Sequence, residues 1–334
     1  MTNRTNELFA GSNFKTKLQF GIRQGLKKGW AGLIWILKII LPISFATTLL
    51  VHFGIIYKLD FILTPVMTWL RLPASAALVL VVGVFTGIYG TVAALSVMPF
   101  SVEHMTLIAV FTLISHNLIQ ESMVQGQSGI NPVFAAIFRL FMSLMVTFAC
   151  GRIMGVTAET ALAPAAGNFA GQAEPFIMML QVWGLETFWL VIKIFWIIMI
   201  IMVFLELGKV FNVISFVTRI TAPGLAVLGL SRSTGMLWLT AVVFGLAYGS
   251  AVIVEETRTN EYEKDELTRL HLSIGINHSI IEDPALFLPL GLPVFWLWIP
   301  RIIAAMMAVW LHWGLSSARR VYAKRAGHKK LCDH

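Results

Sequence analysis

Leu272-Ser-Ile-Gly-Ile-Asn-His278-Ser-Ile-Ile-Glu282-Asp283-Pro284 lies between apolar runs long enough to be membrane-embedded, yet it carries an imidazole and two adjacent carboxylates. A charged side chain at bilayer depth costs roughly 2.5–3.5 kcal/mol even on insertion-based scales, so such a group marks a functional site by default. The stretch has an echo in the first half of the chain, Ile114-Ser-His116-Asn117-Leu-Ile-Gln120-Glu121-Ser122.

Working outward, the chain of 334 residues is 57% hydrophobic and only 13% charged. Soluble domains carry about 25% charged residues, which excludes a soluble protein. The continuous apolar runs fit helices, not the alternating strands of about 10 residues that build a membrane β-barrel. The net charge of +8 is concentrated at the chain ends, where it reads as topology and attraction to anionic lipid, not as a nucleic-acid surface. Cys150 sits in an apolar run and Cys332 in a basic tail, with no disulfide or thiolate-site context.

Residues 1–30 read as a polar tail followed by a basic amphipathic helix (14–30) that anchors at the interface. Membrane segments are expected at 31–56, 74–98, 105–124, 132–154, 186–207, 234–254, 267–288 and 293–315, with short amphipathic pieces at 59–70 and 210–220. They group into a first repeat (31–154), an external linker (155–185), a second repeat (186–315) and a basic tail (316–334). Pro65 pairs with Pro223 and Gly87 with Gly245 at an offset of 158, and Tyr89-Gly90-Thr91 echoes Tyr248-Gly249-Ser250 at 159. Beyond an insertion near 258–266 the offset becomes 162 and holds for His116/His278, Glu121/Asp283, Gly129/Gly291 and Arg139/Arg301.

Both basic ends are expected in the cytoplasm, whereas the segment between Ile153 and Phe188 has three glutamates and no Lys or Arg, which places it outside. Each half must then cross an odd number of times, although hydropathy gives four segments per half. Making one segment per half broken or re-entrant resolves this, around Tyr89-Gly90-Thr91 and His116 to Gly129, where backbone leaves the helix to line a cavity. The expected fold is therefore an all-α membrane protein of two inverted repeats with broken helices near the midplane.

His278 and Glu282, four apart, are expected on one helix face. Asp283 precedes Pro284, so the helix is expected to end there and set Asp283 at the negative end of its dipole, favouring a proton or cation partner. Salt bridges Glu121–Arg139 and Asp283–Arg301 are the structural alternative. His116, Asn117, Gln120, Glu121, His278, Glu282 and Asp283 form the expected substrate- or proton-binding set, with Arg139 and Arg301 as counter-charges. Tyr89, Gly90, Thr91, Tyr248, Gly249 and Ser250 would supply backbone and hydroxyls at the helix breaks, or simply a tight helix crossing.

Imidazole and carboxylate could hold a divalent cation, but two buried arginines suit a carboxylate or phosphate, which ranks an anionic or polar solute ahead of a metal. Paired histidines suggest proton coupling. His52, His104, His271 and His312 lack an equivalent partner and read as structural or interfacial. With no nucleotide motif, catalytic triad or zinc-protease motif in usable context, neither an enzyme nor a cofactor is expected.

The Pro65…Gly87-Ile-Tyr-Gly90 and Pro223…Gly245-Leu-Ala-Tyr-Gly249 segments, together with the two histidine segments, resemble the nucleoside-recognition or "Gate" domain membrane proteins. These include spore-maturation proteins and the membrane domain of Feo-type ferrous iron transporters, and are related to concentrative nucleoside transporters. The resemblance covers roughly Ala31 to Leu315 but lacks the iron transporters' cysteine-containing Gly-rich motif and GTPase domain. It implies a multi-pass protein of a bacterial or archaeal inner membrane. The expected function is a secondary transporter of a small polar or anionic solute. A divalent metal-ion transporter and a non-transporting scaffold or assembly factor are the alternatives. Partners are membrane lipid and a small-molecule or ion substrate, with a homodimer left open.

Overall fold

The computed structural model describes residues 13–53, 60–158, 175–211 and 262–332, with shorter pieces between 224 and 256. The expected linker core (159–174), the 210–220 piece beyond Phe211, part of 234–254, and the whole of Tyr248-Gly249-Ser250 lie outside the described residues. Among the described residues every regular element is helical, and four stretches are long and apolar enough to cross a membrane: Val102–Gln127, Pro132–Ile153, Phe176–Gly208 and Val294–Ala318. The most apolar window of the first is 72% buried, against 24–33% for the other three, so the first is the interior element and the others turn a broad face outward.

The outer layer is a long antiparallel pair. α1 (Phe14–His52) runs unbroken through the residues expected to divide an interfacial helix from a membrane helix. No helix breaker separates them, and Gly21, Gly25 and Gly29 fall at four-residue spacing on one face. That face meets α8 of the completed fold (Phe176–Val210), which begins inside the stretch read as linker because Phe176-Ile-Met-Met-Leu already continues its apolar run. A Cβ at Gly25 would lie 2.5 Å from the Val203 Cα, so the backbones touch there. Lys28 Nζ reaches Glu206 Oε1 at 2.7 Å, and Trp183 Nε1 donates to Ser44 Oγ at 2.9 Å further along the pair. Gly25→Ala is expected to lower stability by about 1–3 kcal/mol, because the added methyl forces two backbones apart. Thermal unfolding of the purified protein checks this, with Gly32→Ala, which meets nothing within 4 Å, as the neutral control.

Between these long helices the chain is short and broken. α2 (Asp60–Trp69) leads to α3 (Ala76–Thr86) and α4 (Ile88–Leu95), which are separated by Gly87 alone. The break therefore falls two residues before Tyr89, and Tyr89, Gly90 and Thr91 are helical, contrary to the expectation that they form the break. α5 (Val102–Ser115) opens on Ser101, whose hydroxyl accepts from the His104 amide, and closes at His116. α6 (Leu118–Gln127) resumes after a left-handed Asn117. Asn131 caps α7 (Pro132–Ile153) by accepting from Val133 and Phe134, with Pro132 where a missing N–H costs nothing. In the second half α9 (Lys264–Asn277) stops at His278, α10 (Glu282–Ala285) is one turn, and α11 (Val294–Cys332) is continuous.

Asp283 is thus not at a helix C-terminus. The chain breaks earlier, at His278-Ser279, and both Glu282 and Asp283 sit in the first turn of α10. Glu121 likewise occupies the first turn of α6. His278 and Glu282 do not share a helix face, because the left-handed Ser279 turns the chain between them.

A buried cluster of two histidines, two carboxylates and two arginines

The two breaks are built alike. Asn117 and Ser279, 162 apart, are both left-handed, with φ of 44° and 48°. Each sends its amide to the carbonyl of another helix: Asn117 to Gly83 at 3.3 Å, Ser279 to Ala241 at 3.2 Å. Each also sits against a positive-φ glycine, Gly87 (φ 85°) and Gly245 (φ 74°). Asparagine tolerates the left-handed region through local hydrogen bonding, whereas Ser279 is held there by the Ala241 contact. A Cβ at Gly87 would lie 2.6 Å from Asn117 Nδ2. Gly87→Ala is therefore expected to destabilise by about 1–3 kcal/mol through both strain and clash, again read by thermal unfolding.

Two fully buried arginines bracket the breaks. Arg139 Nε donates to the Ile114 carbonyl at 2.9 Å and its Nη2 to the His116 carbonyl at 2.9 Å. Arg301 repeats this on Ile276 at 3.1 Å and His278 at 2.9 Å. Breaking a helix orphans its last carbonyls, and inside the protein these need donors. The planar guanidinium fork serves two of them at once.

Each imidazole is fixed by its own helix. His116 Nδ1 lies 3.1 Å from the Thr112 carbonyl and His278 Nδ1 2.9 Å from the Ile274 carbonyl. A carbonyl only accepts, so Nδ1 carries the proton in each ring, and a neutral imidazole then offers its Nε2 lone pair. Those two Nε2 atoms face each other at 3.4 Å, with ring centroids 4.9 Å apart. Glu121 lies beside both: Oε1 is 3.2 Å from His116 Nε2 and Oε2 is 3.1 Å from His278 Nε2. Asp283 Oδ2 is 3.3 Å from His116 Nε2. With both rings neutral, five acceptor atoms converge on one point.

The paired carboxylates do not behave alike. Glu121 binds Arg139 Nη2 at 2.6 Å, which is the first of the two bridges given as the structural alternative, but no Asp283–Arg301 bridge forms among the described residues. Aspartate is one methylene shorter, and Asp283 turns to His116 instead. Buried Asp283 Oδ2, Arg139 Nη1 and Arg301 Nη1 find no hydrogen-bond partner among the described residues. Glu282 stands to one side, where the Tyr89 hydroxyl donates to its Oε1 at 3.2 Å. Gln120 is exposed and outside the cluster, and Asn117 is a backbone element of the break. Gly90 is packed against Thr86, and Thr91 Oγ1 donates to the Gly87 carbonyl at 3.3 Å, so both serve helix packing.

Sequence reasoning missed two groups. The carbonyls of Thr112, Ile114, Ile274 and Ile276 leave no mark in side-chain identity. Buried His271 Nε2 lies 3.2 Å from Ser128 Oγ, and Gln125 Nε2 donates to the His271 carbonyl at 3.4 Å, a second polar link between the halves. His312, read as unpartnered, meets Asp265 at 2.9 Å.

Long apolar helices around a buried charged cluster define an all-α integral membrane protein. The chain is similar to the uncharacterized membrane protein YvoD of Bacillus subtilis (strain 168), 27% identical over 295 residues that cover 86% of this chain and 91% of that relative. No family model and no solved structure matches it.

Proposed function

We propose that the protein is a secondary transporter of a small polar or ionic solute, with His116, Glu121, His278 and Asp283 as its binding centre. One observation carries this reading: equivalent elements of the two halves deliver two imidazole nitrogens and three carboxylate oxygens to one buried point, where Arg139 donates to Glu121 but Asp283 Oδ2 finds no hydrogen-bond donor among the described residues. Acceptors packed at 3.1–3.4 Å repel unless a cation or a proton joins them, so the cluster is complete only with something bound. A static scaffold accounts for the arginine brackets, which hold the breaks. It gives no reason to aim both Nε2 atoms at each other and at carboxylates.

The remainder of the reading follows from the sequence. The halves are inverted repeats related near the midplane, as the recurrence of equivalent contacts at the His116–His278 meeting point supports. Both termini are cytoplasmic, the membrane is a bacterial or archaeal inner membrane, and transport is coupled to protons.

The test is a thermal-shift screen of inorganic ions, nucleosides and small organic acids on purified protein. A solute at a hundredfold its dissociation constant stabilises the folded state by about 2.7 kcal/mol. The expected hit raises Tm in the wild type and not in Asp283→Asn. Stabilisation that is equal in both proteins would place binding elsewhere and remove the support for this centre.

A further inference from the structure

The cluster specifies its cargo more closely than its polarity alone. We propose that it binds a divalent transition-metal cation through His116 Nε2, His278 Nε2 and the Glu121 carboxylate, an assignment that rests on the transporter reading above for its role as cargo. The spacing is the first argument. Around an ion held at about 2.0–2.1 Å, the ligand atoms of a tetrahedral shell lie about 3.3 Å from one another. The two Nε2 atoms stand 3.4 Å apart, and the Glu121 carboxylate spans them, with Oε1 3.2 Å from His116 Nε2 and Oε2 3.1 Å from His278 Nε2. Each of these contacts is close to a shell edge, and one ligand atom from each of the three residues falls within 4.8 Å of the others.

The second argument is the layer behind the ligands. Metal-binding imidazoles characteristically donate their other nitrogen to a carbonyl or carboxylate, and ligating carboxylates are themselves hydrogen-bonded. His116 and His278 do the first through Thr112 and Ile274, and Glu121 does the second through Arg139. Asp283 Oδ2, without a hydrogen bond and 3.3 Å from His116 Nε2, is placed to join as a further ligand. Two nitrogens and one carboxylate select borderline cations such as Zn2+ or Co2+ over Mg2+ and Ca2+, which demand all-oxygen shells, and over Cu+, which favours sulfur. Three ligands leave positions open, as a cargo that must enter and leave requires.

The set of converging atoms separates this from the anionic solute favoured by the sequence. The arginines spend their Nε and Nη2 donors on backbone carbonyls, so they are structural brackets before they are counter-charges. Within the cluster Glu121 and Asp283 balance Arg139 and Arg301 in formal charge, so it is the lone pairs converging beside His116 and His278 that favour a cation over an anion. The two Nη1 atoms are the feature that speaks for an anion, and phosphate is accordingly one arm of the test.

The experiment titrates Co2+ into the whole chain carrying His328→Ala, Cys332→Ser and His334→Ala, which removes the imidazole and thiol ligands that the C-terminal tail offers in sequence. One Co2+ per chain is expected, with visible d–d absorption, displaced by Zn2+. His116→Ala, His278→Ala and Glu121→Gln are each expected to weaken binding by at least about tenfold. His312→Ala, which alters the distant Asp265 pair, should leave it unchanged. His278→Cys reports coordination directly by adding a thiolate-to-cobalt charge-transfer band, and so guards against an alanine variant that merely unfolds. Absence of stoichiometric Co2+ binding, binding indifferent to all three ligand substitutions, a folded His278→Cys protein that binds Co2+ without the new band, or stabilisation by phosphate in place of Co2+ would each overturn the proposal. Proteoliposome flux separates the two readings. Co2+ binding at this cluster without flux keeps the metal site and overturns transport. Flux of an organic solute that needs His278, without Co2+ binding, does the reverse.

Discussion

Replacing Arg139 by Met is expected to cost about 3–5 kcal/mol, enough to leave little folded protein, because it strands a buried carboxylate and two carbonyls together. The side chain is fully buried and its Nη2 holds Glu121 at 2.6 Å while also serving the His116 carbonyl. Arg139→Lys should rescue only in part, since one ammonium cannot span the Ile114 and His116 carbonyls as the fork does. Arg301→Met is expected to cost less, because Arg301 brackets carbonyls of its own break but forms no carboxylate bridge among the described residues. Denaturation of purified variants in detergent, compared in that order, measures the difference between the two repeats.

The second large effect concerns transport itself. His278→Ala and Asp283→Asn are each expected to reduce solute flux into proteoliposomes by at least tenfold, about 1.4 kcal/mol or more of lost interaction. The two residues come from opposite sides of one break and both contact the His116–Glu121 group, so each removes a ligand while leaving the arginine brackets in place. His104→Ala, whose ring is engaged by Ser101 and the Thr157 carbonyl away from the cluster, should retain flux. Normal flux in both site variants would exclude the cluster from the transport path.

The sequence carried the periodic part of this structure. Apolar runs marked the helices, and the offset of 162 anticipated that His116 would meet His278 and that Arg139 and Arg301 would occupy matching positions. What escaped it is the geometry of the breaks. Asn117 and Ser279 are unremarkable as letters, and only the amide contacts to Gly83 and Ala241 show why they take the left-handed turn. That turn decides which side chains face the centre. It brings Asp283 inward, sends Glu282 toward Tyr89 and leaves Gln120 at the surface, none of which a four-residue helix period could foresee. The arginines were read as counter-charges because their charge is legible, whereas the carbonyls that occupy them are not. Likewise, Gly21, Gly25 and Gly29 lay in a segment read as two helices, and their spacing makes sense only once α8 lies against them.

Substituted-cysteine accessibility at Glu282 reads out whether the cluster opens to both sides of the membrane and needs no knowledge of the cargo. In a Cys150→Ala, Cys332→Ser background, Glu282→Cys is placed beside the cluster without removing any of its five converging atoms. A transport site must open to water on both sides of the membrane in turn. A membrane-impermeant thiol reagent is expected to label this cysteine when added to either face of oriented vesicles, and a solute which stabilises the protein is expected to slow the labelling. Protection from both faces, with the protein folded, would contradict this and leave the cluster as the dry centre of a static scaffold.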